Sequence, residues 1–140
     1  MRAYLSYALP DREIARELVD KLEDAGHEVW FSDREITAGE SSRKKVEEAL
    51  NACNAMIVLI SPASMSSHLV RSEIERAFFS KNFAHRVLPV YLRPTDDVPW
   101  FLRKQQGVTV GTDHKKTIQE IKSALDHFDK QLRASVEGNT

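Results

Sequence analysis

Cysteine is almost missing from this chain, since Cys53 is the only one. A lone cysteine can neither close an internal disulfide nor anchor a metal cluster, so we interpret Cys53 as a small buried apolar residue at a helix end. A chain without disulfides is typical of a reducing compartment, and we expect a cytoplasmic protein. The 5 histidines show no metal-ligand spacing, and we therefore expect no metal site.

Net charge is also small, at −1, because 20 basic residues are balanced by 21 acidic ones. This balance gives no electrostatic reason to expect a nucleic acid or an anionic membrane surface as a partner. The longest apolar run, Ala55–Ile60, is far shorter than the ~20 residues that a membrane-spanning helix needs. Strand-like residues follow Arg2 directly, so we expect no signal peptide and no membrane association.

Short apolar runs alternate with segments of helical periodicity along the chain. The strand-like segments are residues 3–7, 27–31, 55–60, 87–92 and 108–110. Segment 55–60 is continuously apolar, as a strand covered on both faces must be. The alternation predicts an α/β fold, a flavodoxin-like doubly wound sheet of five parallel strands in the order 2-1-3-4-5 with helices on both faces. We expect one domain over residues 1–134 and a disordered tail over residues 135–140.

In such a sheet, ligands bind beyond the carboxyl ends of the strands, where the strand order reverses. Here that point falls between the first and third strands, so we expect Ser6, Tyr7 and Ala8 to border it. Glu73 and Glu75 are the acidic residues early in the helix that follows the third strand. They lie two positions apart and point to different helix faces. We assign Glu75 to solvent.

Three common kinds of functional site in this architecture do not fit the chain. A phosphorylated receiver domain needs an acidic cluster after the first strand and an aspartate ending the third, where this chain has SYAL and ISP. The small hydroxyl and glycine residues of a flavodoxin-type phosphate loop are missing after the first strand. Neither a GxGxxG fingerprint nor a GxxxxGK[ST] phosphate loop occurs. All three interpretations fail.

Five parts of the chain, in order and at the right separations, resemble motifs of the Toll/interleukin-1 receptor (TIR) domains, specifically the bacterial kind. They are residues 4–7 (YLSY), 29–31 with 36–41 (VWF and ITAGES), 57–62 (IVLISP), 67–73 (SHLVRSE) and 98–103 (VPWFLR). The fourth is similar to a Ser-x-Trp-x-x-x-Glu motif that ends at Glu73. The resemblance covers roughly residues 2–133.

The resemblance implies an enzyme that cleaves the nicotinamide–ribose bond of NAD+, giving nicotinamide and ADP-ribose or a cyclic isomer. Ordinary glycosidases need two carboxyl groups, but nicotinamide leaves as a neutral molecule and needs no general acid. The resemblance implies that Glu73 stabilises the charge on the ribose, with NAD+ as substrate and no cofactor. It also implies self-association through the loop of residues 32–42 and a role in bacterial anti-phage defence or NAD-depleting signalling.

The resemblance further implies a set of substrate-binding residues around the carboxylate. They are Ser6, Tyr7, Ala8, Ser32, Asp33, Arg34, Ile36, Gly39, Arg43 and Leu69. Arg34 and Arg43 are candidates for contacts with the diphosphate. Two positions depart from the family pattern: Leu69 replaces a tryptophan that lines the nucleotide site, and Ser32 replaces a frequent aspartate. Trp30 and Trp100 are expected in or near the core.

Two other functions stay open at this point. Leu69 in place of tryptophan favours a non-catalytic module that pairs with other TIR domains. A nucleoside deoxyribosyltransferase-like enzyme also uses a glutamate on an N-glycosidic bond, although the residues around Gly39 and the Ser-Pro exit of the third strand argue against it.

Overall fold

The computed structural model describes residues 1–32, 41–83 and 86–138. In these ranges the strands are β1 (Arg2–Ser6), β2 (Glu28–Trp30), β3 (Ala55–Ile60), β4 (Val87–Tyr91) and β5 (Val108–Thr109). The helices are α1 (Arg12–Asp24), α2 (Ser42–Ala52), α3 (Pro62–Met65), α4 (His68–Phe78), α5 (Trp100–Arg103) and α6 (His114–Gly138). A 3-10 turn, Leu9–Asp11, leads into α1.

The strands form one parallel sheet in the order β2-β1-β3-β4-β5, which confirms the predicted fold. Strand β3 lies at the centre and pairs with both β1 and β4. All of its side chains are buried, because helices cover it on both faces. In the described part of the chain, no helix combines the length and the apolar character that crossing a membrane requires.

The core consists of two apolar clusters, one on each face of the sheet. Ala3 and Leu5 of β1 pack in the cluster of α1 and α6, whereas Tyr4 packs in the cluster of α2 and α4. Successive side chains of a strand point to opposite faces, so Ser6 shares the face of Tyr4. The α2 and α4 side of β1 therefore carries two hydroxyl groups close to the strand's carboxyl end.

Two expectations about local structure were wrong. Helix α6 continues to Gly138, so residues 135–138, expected in a disordered tail, are helical. Residues 134–137 contain neither proline nor glycine, and nothing in them ends the helix earlier. Trp100 is 63% exposed rather than near the core, because it begins the short α5 on the surface, where Lys104 lies over its ring. Trp30 is half-buried and packs against the α2 and α4 cluster, as expected.

One buried carboxylate connects the segments that leave three neighbouring strands. Asp11, just after β1, accepts hydrogen bonds from Ser61 Oγ at 2.5 Å and from Arg93 Nη2 at 3.1 Å. Ser61 follows β3, and Arg93 follows β4. The Asp11 side chain has no exposed surface, whereas that of Arg93 is half exposed. This contact fixes the loops at the edge of the sheet where a ligand would bind.

We expect Asp11→Ala to lower the free energy of unfolding by about 2–3 kcal/mol. The substitution leaves the buried Ser61 hydroxyl without its acceptor and removes the charge that Arg93 contacts. Urea and thermal unfolding measure the effect. Asp20→Ala removes an exposed carboxylate from α1 and should change stability by less than about 0.5 kcal/mol. Equal stability of the two variants would contradict a structural role for Asp11.

Candidate active site

Glu73 lies in the stripe of α4 that faces the sheet. The helix begins after Ser67, whose Oγ accepts a hydrogen bond from the backbone N–H of Val70 at 3.2 Å. The buried positions of α4 recur at helical spacing and are Val70, Glu73, Ile74 and Ala77. Glu73 is 6% exposed, whereas Glu75 is exposed, as expected. An ionisable side chain among apolar ones is costly to bury, which makes Glu73 a candidate for a functional role.

Two hydroxyl groups of β1 hold the Glu73 carboxyl group. The Tyr4 hydroxyl donates a hydrogen bond to Oε2, and Ser6 Oγ donates one to Oε1 at 3.1 Å. Burial raises the pKa of Glu73 to about 8, from an ordinary value of 4.5. At neutral pH the group is therefore mostly protonated in the free protein, although a cation bound beside it would favour the carboxylate.

Glu73 lies on the wall of a cleft of about 830 Å³, a size typical of small-molecule sites. The cleft lies between β1, α2 and α4, beyond the carboxyl end of β1. Its walls are formed by Tyr4, Leu5, Tyr7, Leu9, Ser32, Ser42, Arg43, Val46, Glu47, Leu50, Leu69, Ser72, Glu73 and Arg76. The position agrees with the switch point between β1 and β3 that the strand order predicts.

The residues named from the sequence fall into three groups. Those on the cleft wall are Tyr7, Ser32, Arg43, Leu69 and Glu73. Ser6 and Ala8 are buried and do not line the cleft, although Ser6 contacts Glu73. Asp33, Arg34, Ile36 and Gly39 lie outside the described residues.

Tyr7 and Ser32 are joined on one side of the cleft. Ser32 Oγ donates a hydrogen bond to the Tyr7 hydroxyl at 3.0 Å, and the Tyr7 ring packs on Phe31 at a centroid distance of 5.2 Å. Opposite charges also meet across the cleft, where Arg76 of α4 lies 3.5 Å from Glu47 of α2. Both of these side chains are about half exposed. The cleft thus offers hydroxyl groups and paired charges around the Glu73 carboxyl group.

Sequence reasoning missed several residues of the cleft, and Tyr4 is the most important of them. Its place two residues before Ser6 puts both on one face of a strand, which was a usable signal. Arg76 follows Glu73 by one helical turn, which also places it near the carboxylate. Leu9 gave no such signal, but it is 70% exposed on the cleft wall, and Leu69 is 61% exposed there. Two of the large exposed apolar side chains therefore border this one cleft.

The polar groups of the site suit the stabilisation of a positive charge. Among the residues that the structure describes, no group of three or more His, Cys, Asp or Glu side chains could hold a metal ion. The cleft contains one buried carboxyl group, hydroxyl donors and the side chains of Arg43 and Arg76. Such a site can stabilise a positive charge at Glu73 while a negatively charged part of the same ligand meets the arginines.

Comparison with known proteins identifies relatives over nearly the whole chain. A family model described as TIR domain matches residues 4–132. The 2' cyclic ADP-D-ribose synthase BtTIR of Bacteroides thetaiotaomicron is 32% identical over 96 residues, which cover 67% of this chain and 33% of that protein. The NAD(+) hydrolase PdTIR of Paracoccus denitrificans is 25% identical over 87% of this chain and 42% of that protein.

A solved structure is also similar. The metazoan TIR-STING receptor from C. gigas, in complex with 2',3'-cGAMP, superposes with a TM-score of 0.73 and 28% identity, over 87% of this chain and 38% of that chain. This chain thus spans 33% to 42% of the length of these three relatives.

The raised pKa of Glu73 predicts that Glu73→Gln stabilises the fold in a pH-dependent way. Between pH 4.5 and about 8 the unfolded chain ionises Glu73 while the folded chain keeps it protonated, so wild-type stability falls as the pH rises. Glutamine does not ionise. At pH 8 the melting temperature of the variant should therefore exceed that of the wild type by at least about 3 °C. At pH 4.5, the ordinary pKa of glutamate, the two melting temperatures should be nearly equal. Thermal unfolding at a series of pH values measures it, and a difference that does not grow with pH contradicts the buried carboxyl group.

Proposed function

Since this chain belongs to the TIR domain family, in its bacterial type, we propose that it is an NAD+ glycohydrolase with Glu73 as the catalytic residue. The family contains enzymes of this class, because curated relatives are named as an NAD(+) hydrolase and a cyclic ADP-ribose synthase. The observation that carries the proposal is the Glu73 carboxyl group, buried on the wall of a cleft at the switch point of the sheet.

The proposed reaction needs only one carboxylate. When the bond between nicotinamide and ribose C1′ breaks, its electron pair leaves with the pyridinium ring, and nicotinamide departs as a neutral molecule. The positive charge then lies on the ribose, where the Glu73 carboxylate stabilises it more strongly in the transition state than in the ground state. Water adds to C1′ and loses a proton to give ADP-ribose, whereas attack by a hydroxyl group of ADP-ribose itself gives a cyclic isomer.

Substrate binding and ionisation of Glu73 are coupled in this proposal. The carboxyl group is buried and mostly protonated at neutral pH in the free protein. The pyridinium ring of NAD+ brings a positive charge to the same cleft, and a nearby cation favours the carboxylate. In this proposal NAD+ is the substrate, no separate cofactor takes part, and the positive charge of the substrate helps to ionise Glu73.

The other proposed contacts use the walls of the cleft. Tyr7, Ser32 and Leu69 border the nucleoside part of NAD+, and Arg43 contacts its diphosphate. Ser32 and Ser42, at the two ends of the loop of residues 32–42, both line the cleft. A second subunit that contacts these two ends would lie next to the substrate, which supports activation by self-association. Ser6, Ala8, Asp33, Arg34, Ile36 and Gly39 stay predictions for the substrate-binding set.

A non-catalytic module that pairs with other TIR domains is the second candidate. One observation favours it: Leu69 stands on the cleft wall in place of the family's tryptophan, and its side chain is 61% exposed. Without that aromatic ring, the cleft has a weaker stacking partner for a flat ring of the substrate.

For the NAD+ glycohydrolase, we propose a biological role in NAD-depleting signalling such as bacterial anti-phage defence.

Nicotinamide release from NAD+ tests the catalytic proposal. We expect Glu73→Gln to reduce the rate at least about a hundredfold, because it removes the charge that stabilises the transition state. Glu75→Gln, an exposed neighbour on the same helix, should keep wild-type activity. Both should be assayed in dilute and in concentrated or crowded solution. Release that survives Glu73→Gln contradicts the site, and no wild-type release under any condition, with self-association intact, supports the interaction module.

The pH dependence of kcat/KM provides a separate prediction. Because kcat/KM reports the free enzyme, it should rise with pH until Glu73 is ionised, at about 8. Well below that pH the rise should approach about tenfold for each unit. Initial rates of nicotinamide release between pH 6 and pH 9 measure the profile. A profile that is flat or falls over this range would show that ionised Glu73 is not required.

A further inference from the structure

Among the described residues, Tyr4 and Ser6 donate hydrogen bonds to the Glu73 carboxyl group, and of these two Tyr4 alone lines the cleft. Tyr4 donates to Oε2 and lines the cleft, whereas Ser6 donates to Oε1 and does not line it. A carboxylate accepts such bonds with all its lone pairs, whereas a protonated carboxyl group must turn one oxygen into a donor. The hydrogen bond from Tyr4 therefore orients the Glu73 carboxyl group and favours its ionised form.

The Tyr4 ring is held firmly enough to fix the position of its hydroxyl group. Tyr4 is 1% exposed, in the middle of β1. Its ring is stacked on Trp30 of β2, with the centroids 4.9 Å apart and an angle of 12° between the planes. Parallel pairing of β1 with β2 places Tyr4 directly opposite Trp30, so the sheet itself sets the stack. The hydroxyl group cannot follow a displaced carboxyl group without moving the sheet.

We propose that Tyr4 is the positioning residue of the site, whose hydroxyl group holds the Glu73 carboxylate toward the cleft and favours its ionised form. This inference rests on the proposed function for its catalytic meaning. The donated hydrogen bond stabilises the carboxylate, and it opposes the effect of burial, which raises the pKa of Glu73. Tyr4 acts through Glu73 rather than on the substrate.

In the described part of the chain, the other ionisable groups that line the cleft do not account for an effect of Tyr4 on Glu73. They are Tyr7 of the β1–α1 connection, Arg43 and Glu47 of α2, and Arg76 of α4. Arg76 is paired with Glu47 at 3.5 Å. All four side chains are unchanged when Tyr4 is replaced by phenylalanine. A change in the ionisation of Glu73 then reports the lost hydroxyl group.

Tyr4→Phe tests the proposal, with Tyr91→Phe as its matched control. Both substitutions remove one hydroxyl group from a tyrosine on the α2 and α4 side of the sheet, but Tyr91 does not line the cleft. We expect Tyr4→Phe to raise the pKa of Glu73 by about one unit and to lower kcat/KM about tenfold at pH 7. The loss should shrink toward pH 9, where the carboxyl group ionises even without the donor. Tyr91→Phe should behave as the wild type.

Two measurements separate this proposal from the function on which it rests. The first is the pH profile of nicotinamide release for the wild type and both variants. The second is the titration of the Glu73 side-chain carbon by 13C NMR in the free protein, with the resonance assigned by its loss in Glu73→Gln. A midpoint unchanged by Tyr4→Phe, or an equal loss of activity at every pH, overturns the proposal. If the wild type releases no nicotinamide, the proposed function fails, while the titration still decides whether Tyr4 controls the ionisation of Glu73.

Discussion

The burial of one carboxyl group in the sheet-facing stripe of α4 is the constraint on which this site depends. The neighbouring buried positions of that helix are Val70, Ile74 and Ala77, and an apolar residue in place of Glu73 would suit the packing better. The hydroxyl groups of Tyr4 and Ser6 compensate only part of the lost hydration, since the pKa remains raised to about 8. A buried ionisable residue that weakens the fold and lies on the wall of a cleft is a candidate for a functional role.

Regular features of the fold, namely parallel strand pairing and a crossover helix, determine the position of this carboxyl group. Parallel pairing directs the carboxyl ends of the strands to one edge, and the crossover through α4 brings its buried face onto β1. Alternation along β1 then sets Tyr4 and Ser6 on the same side. The contact with Glu73 joins residues that are 69 positions apart in sequence for Tyr4 and 67 for Ser6. Only the completed sheet and its helix create the site.

Features that depend on local sequence pattern could be predicted, whereas contacts between residues far apart in the sequence could not. The strand order followed from the alternation of elements, and the burial of β3 followed from its continuous apolar run. The partners of Glu73 did not, because a tyrosine in a strand is typical of the core, and Tyr4 is indeed buried. Its hydroxyl group also donates a hydrogen bond to Glu73, and this contact depends on α4, which lies far along the chain. Exposure of Trp100 was missed for a similar reason, since apolar character alone does not show which side chains the fold covers.

Asp11 shows what a buried carboxylate requires when its role is structural. It lies near the same edge of the sheet, and the chain provides both a cation, Arg93, and a hydroxyl group, that of Ser61. In the described part of the chain, the hydrogen-bond partners of Glu73 are hydroxyl groups alone, and burial is the cause of its raised pKa. Among these described residues, no cation contacts Glu73 in the way that Arg93 contacts Asp11. In the proposed reaction, the pyridinium charge of NAD+ and the positive charge that develops on its ribose would supply such a partner. The complementarity is greatest when the bond to nicotinamide is breaking, which is the condition for catalysis rather than for tight binding alone.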